Sequence, residues 1–270
     1  MKWEELTAPE FERAVKDVGG VCLLPIGCLE KHFDHLPLGT DYLIGSDICT
    51  LAAQKEPAIV FPPYFIGQIH EARCFPGTLA IDPILCLQLL MNVCDEISRN
   101  GLKKIIIVNA HGGNTDMLGY FIQTLLAQRK DYVVHVYSAT DRWPESRQKQ
   151  WNEVLQTKIH GHACECETSI GLATFAHLVK MDAIKDRSTH PLNRITHITD
   201  QTQAKVSNEW YTLYPDHYAG DARSASREKG LKLRQILVDC LAEYIGRVKR
   251  DTAAAELTKE FYDRCDRIGK

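Results

Sequence analysis

The chain has 270 residues, 44% hydrophobic and 25% charged; these are the proportions of a globular protein and exclude a disordered or fibrous chain. Thirty-two Lys and Arg oppose 35 Asp and Glu for a formal charge of -3, and no dense basic run interrupts the balance. Neither nucleic acid nor an anionic membrane is therefore an expected partner.

The opening Met1-Lys-Trp-Glu-Glu-Leu carries acid where an export signal has an apolar segment. Gly19-Gly20 separates an expected helix over 9–18 from the apolar run Val21–Ile26, which has the length of a buried strand. A helix over 42–54 and a short strand over 58–61, stopped by Pro62-Pro63, come next. Pro83–Arg99 is a strong helix, with Pro in its first turn, Leu85, Leu89, Leu90, Val93 and Ile97 near helical spacing, and Asn100-Gly101 as its stop.

Lys104–Asn109 is the clearest central strand, because its β-branched run lacks the alternation of a half-exposed sheet. A helix over 115–129, with Asn114 as N-cap, and a strand over 132–137 follow. Helices are then expected over 168–179, 228–248 and Ala253–Cys265, while the polar stretch 185–215 supports no element. The alternation predicts one α/β domain over 1–270, a three-layer α/β/α sandwich around a mostly parallel sheet. No apolar run approaches the roughly 20 residues of a membrane span. A cytoplasmic protein with its ten scattered cysteines reduced is expected.

Three segments concentrate chemistry. Cys28-Leu-Glu30-Lys-His32-Phe-Asp34-His35-Leu-Pro-Leu-Gly-Thr-Asp41 follows the first strand, where ligands of open α/β sheets gather. In extended backbone Glu30 and His32 leave on one face, and imidazole with carboxylate suits Zn, Mn or Fe. Asn109-Ala-His111-Gly-Gly-Asn114 puts His111 at the end of the strongest strand, and Gly112, Gly113 and Asn114 form a turn whose backbone N–H groups can approach a substrate oxygen. His160-Gly-His162-Ala-Cys164-Glu165-Cys166-Glu167-Thr-Ser169 adds imidazoles and carboxylates. Cys164 and Cys166 lack the spacing and second pair of a zinc ribbon and read as small packing residues. A low-pKa thiol pair is the rival reading.

These segments resemble the creatininase family. Its motifs E-Q-H-G-P-H-L-P-L-G-T-D, N-G-H-G-G-N and H-A-G-E-x-E-T-S correspond to Glu30–Asp41, Asn109–Asn114 and His162–Ser169. A tail signature runs from Gly220-Asp221 to Lys229-Gly230, and 67–82 is similar as well. The resemblance implies a hydrolase with two divalent ions (Zn, Mn or Fe). Glu30 and His111 would hold one ion and His32 the other, with Asp41 shared. In creatininase itself a further carboxylate stands two residues beyond the second-motif histidine, at Gly113 here; Glu167, with Glu165 as the alternative, would replace it. His162 matches the family's catalytic histidine, the proton donor to the leaving nitrogen.

Phe33-Asp34 replaces Gly-Pro and Cys164 replaces Gly of the family pattern. Trp143 and Trp151 lie where creatininase presents substrate-stacking tryptophans, but packing is their expected role. The implied activity is cleavage of a C–N bond in a small cyclic amide or formamide by metal-bound hydroxide. A cyclic ketone of the inosose type, or a non-catalytic metal or ligand binder, is the alternative. A small-molecule substrate and a homo-oligomer, in the family commonly a hexamer, are also implied.

Overall fold

The apolar run after Gly19-Gly20 becomes the middle of a parallel sheet. In the computed structural model, which describes residues 1–138, 143–184, 189–200, 202 and 204–268, β1 (Val21–Ile26) lies between β2 (Ile59–Val60) and β3 (Lys104–Asn109). β4 (Val133–Ser138) completes the order β2-β1-β3-β4. Every pairing in this sheet is parallel, with Cys22 opposite Ile105 and Ile107 opposite Val136. Pro25 is tolerated in so central a strand because its carbonyl side faces Tyr64, past the end of the two-residue β2, where no ladder N–H is required.

Helices cover both faces, the three-layer arrangement expected. α1 (Ala8–Asp17), α3 (Pro83–Arg99) and α4 (Asn114–Thr124) lie on one side, where Cys22, Leu24, Ile26, Ile105 and Ile107 bury against Ala14, Leu90, Ile97 and Phe121. α2 (Thr40–Lys55), α5 (Glu145–Val154), α6 (Glu165–Thr174) and the long α9 (Arg227–Arg250) cover the other, where Val21, Leu23, Ile106 and Val108 meet Ile48, Trp151, Ile170 and Leu237. Alternate strand residues thus fill alternate cores. A separate ribbon pairs β5 (His160–His162) antiparallel to β6 (Ala219–Gly220). The short α7 (Thr196–Thr199) and α8 (Glu209–Leu213) occupy the stretch that carries no periodic signal, and α10 (Ala253–Cys265) closes the chain. Within that stretch, residues 185–188, 201 and 203 lie outside those described.

Several boundaries differ from expectation. α2 starts at Thr40, not 42, which draws Asp41 into its first turn. Asn114 is the first residue of α4 rather than its cap, which is Gly113; the Asn114 side chain is committed elsewhere, accepting from the Gln68 N–H at 2.8 Å. α6 begins three residues earlier than expected and stops at Thr174, followed by a 3-10 turn at Ala176–Leu178. α5 has no counterpart in the expectation: its residues are mostly polar, and it is anchored by Trp151, packed edge-on against Trp143 at 5.2 Å.

The tail signature is explained by packing. Ser226 caps α9, accepting from the Lys229 N–H at 3.2 Å. Gly230 lets α9 touch α6, since a Cβ there would stand 1.7 Å from the Ser169 carbonyl oxygen. Lys229 pairs with the buried Glu165 at the start of α6.

Candidate metal centre

Two close approaches bring the first motif together. A Cβ on Gly27 would lie 2.6 Å from the Tyr42 nitrogen, and one on Gly45 2.8 Å from the Ala110 Cβ. Bare backbone at these positions lets the N-terminus of α2 press against the carboxyl ends of β1 and β3. Asp41 thereby meets Glu30, His32 and His111, and all four are buried.

The contacts are specific. Asp41 Oδ1 lies 3.1 Å from His32 Nε2, and Asp41 Oδ2 lies 3.2 Å from His111 Nδ1. Glu30 Oε1 is 2.8 Å from His111 Nδ1. Candidate ligand atoms of Glu30, Asp41, His111 and Cys28 fall within 4.8 Å of one another; the same holds for Glu30, His32 and His162, and for His32, Asp41 and Glu167. Asp41 therefore belongs to two overlapping groups, with one oxygen turned to each histidine.

Each histidine has its other nitrogen tied to backbone. His111 Nε2 donates to the Gln68 carbonyl at 2.9 Å, His162 Nε2 to the Lys31 carbonyl at 2.9 Å, and His32 Nδ1 to the Glu30 carbonyl at 3.3 Å. Such anchoring fixes the tautomer and leaves the opposite lone pair for a cation. With His111 neutral and its proton on Nε2, the buried Glu30 Oε1 has no hydrogen-bond donor among the described residues. This donor set of imidazole and carboxylate, with an orphaned buried oxygen, fits divalent cations.

Electrostatics agree. Burial works against a proton on His32, but the carboxylates of Asp41, Glu30 and Glu167 outweigh it and raise its pKa to about 10. Burial likewise opposes a charged His111, and Glu30 and Asp41 overcome it to hold its pKa well above the usual imidazole range. Burial lifts Glu167 to about 8 against the pull of His32. Protons thus stand where cations would. His32 gains protons on folding, so its contribution to stability is complete below pH 6.5 and is lost as pH rises toward about 10; His111 has the same sign. The cation-free protein should lose thermal stability over that range while divalent-cation affinity rises, with protons released on binding. Calorimetry in buffers of different ionisation enthalpy checks this; proton-neutral binding at neutral pH would contradict it.

The structure separates the two third-motif glutamates. Glu165 accepts from the Gln156 N–H and from the Thr157 N–H and hydroxyl, both of the latter at 2.7 Å, besides pairing with Lys229. It is a fully used structural carboxylate outside the cluster. Glu167 points the other way, to His32 and Asp41, and accepts from the Ala163 N–H. Ala163 has a φ of 53°, a left-handed turn held at the site by that bond.

A cavity of about 350 Å³ opens beside the cluster, lined among others by Asp41, His111, Gly112, Trp151 and Glu167. Of the expected turn residues only Gly112 reaches it. Asn114 is buried, and Gly113 is needed where it is because a Cβ would lie 2.4 Å from His111 Nε2 and 2.7 Å from Glu71 Oε1. Trp151 both packs and lines the cavity. His162 stands behind the wall, its ring 4.3 Å from that of His32, and burial lowers its pKa to about 3 despite Glu30. His35 bonds Thr168 at 2.8 Å and anchors the motif to α6 rather than joining the cluster. Lys31 pairs with the exposed Asp34 at 3.2 Å. Phe33 adopts a φ of 50°, where the family's glycine would be unstrained, and stacks on Tyr218 at 4.6 Å.

Motif reading missed Cys28, Trp210 and His217. Cys28 Sγ donates to Asp41 Oδ2 at 3.1 Å. Trp210 donates to His217 Nδ1 at 3.0 Å, so His217 carries its proton on Nε2 and gives it to Glu30 Oε2 at 2.6 Å. The relay fixes one Glu30 oxygen and frees the other. No local pattern marks it; its nearest signal is adjacency to the tail signature. His217→Phe should weaken divalent-cation binding about 10–100-fold, read by competition with a chelating dye; unchanged affinity would remove His217 from this role.

A parallel sheet between helical layers, with a buried histidine–carboxylate cluster at its carboxyl edge, defines an α/β protein with a candidate metal centre. The profile of the creatininase family, described as creatinine amidohydrolase, matches residues 4–245, and the chain belongs to that family. It is 27% identical over 261 residues to the creatinine amidohydrolase of Pseudomonas putida, spanning 89% of this chain and 94% of that protein. It is 26% identical over 235 residues to the mycofactocin precursor peptide peptidase of Mycolicibacterium smegmatis, spanning 85% of each. A solved creatininase variant of zinc–zinc type superposes with a TM-score of 0.75 at 25% identity, covering 93% of this chain and 98% of that one. Among the described residues no helix is long and apolar enough to cross a membrane.

Proposed function

We propose that this creatininase-family hydrolase cleaves a C–N bond in a small cyclic amide or formamide, with two divalent cations at the cluster. The observation that carries the reading is Asp41, whose two oxygens face two different histidines at 3.1 and 3.2 Å. Glu30 and His111 would hold one cation and His32 and Glu167 the other, with Asp41 common to both. Cations there would supply a Lewis acid for the carbonyl oxygen and acidify a water.

The chain's own groups do the rest. The cavity of about 350 Å³ lies at the small end of ligand sites and suits a compact substrate better than a peptide. The exposed Gly112 backbone offers a donor to the carbonyl oxygen. His162 is neutral at neutral pH, with its Nε2 proton committed to Lys31. By its match to the family's catalytic histidine, it would relay a proton to the leaving nitrogen once substrate is bound. A cytoplasmic homo-oligomer, by family resemblance a hexamer, is the setting this reading implies.

Protein reloaded with Zn, Mn or Fe should hydrolyse some member of a panel of lactams, formamides, cyclic ketones and short peptides. His162→Asn should lower kcat by about 10²–10⁴ while keeping the cation content. Loss of cations in that variant would make His162 a ligand instead, and inactivity of the loaded enzyme on the whole panel would defeat the hydrolytic reading.

A further inference from the structure

We propose that His160, Cys164 and Cys166 form a separate zinc site, two thiolates and one imidazole, in the wall of the same cavity. The three candidate ligand atoms lie within 4.8 Å of one another, and the two sulfurs are 3.3 Å apart. Linear spacing hides this, because Cys164 is the extended N-cap of α6 and Cys166 lies in its first turn, so the two side chains swing together. His160 comes from β5, across the left-handed turn at Ala163. All three residues line the cavity that Asp41, His111 and Glu167 also border.

The imidazole is prepared as a ligand. His160 Nε2 donates to the Thr157 carbonyl at 2.7 Å, leaving its other nitrogen to face Cys164. Thr157 is itself held through its N–H and hydroxyl by the buried Glu165 carboxylate, each at 2.7 Å. A backbone carbonyl fixing the second nitrogen is the usual support of a metal-bound histidine. Gly220 adds room on the far side, since a Cβ there would stand 2.8 Å from the Cys164 Cβ.

Zinc–sulfur bonds of about 2.3 Å in a tetrahedron place two thiolates about 3.8 Å apart. The sulfurs at 3.3 Å need to part by only about 0.5 Å to reach that spacing. Three protein ligands leave a fourth position open, the pattern of zinc sites that take an exchangeable ligand. That position would accept a carboxylate oxygen or a nitrogen lone pair from a molecule in the cavity. The site does not depend on the hydrolytic reading, because its ligands are distinct from Glu30, His32, Asp41 and His111.

Cobalt titration of the reduced, cation-stripped full chain tests it, with Co²⁺ standing in for zinc. A near-ultraviolet thiolate-to-cobalt charge-transfer band is expected. It should vanish in Cys164→Ser/Cys166→Ser and survive in Cys28→Ser, whose thiol sits at the other cluster. Zinc content should fall by about one ion per chain in the double variant. His160 is exposed, so His160→Ala should fold normally and weaken the band's cobalt affinity about tenfold or more. Absence of the band in the parent protein, its persistence in the double variant, or equal zinc content in both would overturn the proposal. A Cys164–Cys166 disulfide formed in a reducing glutathione buffer would overturn it in favour of a redox pair.

Discussion

Asp41→Ala should leave a folded chain that no longer assembles two cations and whose hydrolysis falls by about three orders of magnitude, about 4 kcal/mol of barrier. The size follows from position. Asp41 turns one oxygen to His32 at 3.1 Å and the other to His111 at 3.2 Å, so on the proposed reading its loss would remove a ligand from each half of the centre. Folding should survive, because His32 can lose its proton once its main counter-charge is gone, while Glu30 stays 2.8 Å from His111 Nδ1 and keeps that imidazole paired. Asp41→Asn keeps the shape and one acceptor and should retain part of the cation affinity. Elemental analysis of dialysed protein and turnover on a responsive substrate read the outcome together. Full cation content with full activity in Asp41→Ala would show that the carboxylate is not shared.

Lys229→Met should cost about 3–5 kcal/mol, lowering the melting temperature by about 6–12 °C. Glu165 is wholly buried, and Lys229 is its cationic partner, which also donates to the Ser224 carbonyl at 2.7 Å. Removing the ammonium strands a carboxylate between α6 and α9 with only backbone and hydroxyl donors. Burial pushes the Glu165 carboxyl up, but Lys229 and the Thr157 and Gln156 donors more than reverse this and hold it below the ordinary value. A depressed carboxyl stabilises the fold above its unfolded pKa of 4.5, and that contribution fades as pH falls. The penalty of Lys229→Met should therefore be largest near neutral pH and shrink in acid as Glu165 gains a proton. Adding Glu165→Gln should restore part of the loss. A melting temperature within about 2 °C of the parent near neutral pH would show that backbone donors alone satisfy Glu165.

The strands of the main sheet were legible because their signal is local. Val21–Ile26 and Lys104–Asn109 are unbroken apolar runs bounded by Gly and polar residues, and only burial on both faces makes such runs stable. Pro83–Arg99 was legible for the same reason, with Pro at its start and a stop at Asn100-Gly101. The ligand segments were legible because imidazole and carboxylate cluster at strand ends, and the motif resemblance placed the chain in its family.

α5, β5 and the short helices of 185–215 escaped notice because their residues are polar and gain stability only from docking. Asn114 and Glu165 carry motif letters identical to those of functional neighbours, yet their side chains are spent on Gln68 and on Lys229. The choice of Glu167 over Glu165 depends on which face of α6 turns toward β1, and α9 sets that face through Gly230 and Lys229. His217 and Trp210 reach Glu30 across nearly two hundred residues. The order of residues thus determined which chemistry the chain carries and near which strand ends it gathers. Tertiary structure alone decided which of those groups meet, because buried contacts between distant segments follow from packing and leave no trace in local spacing.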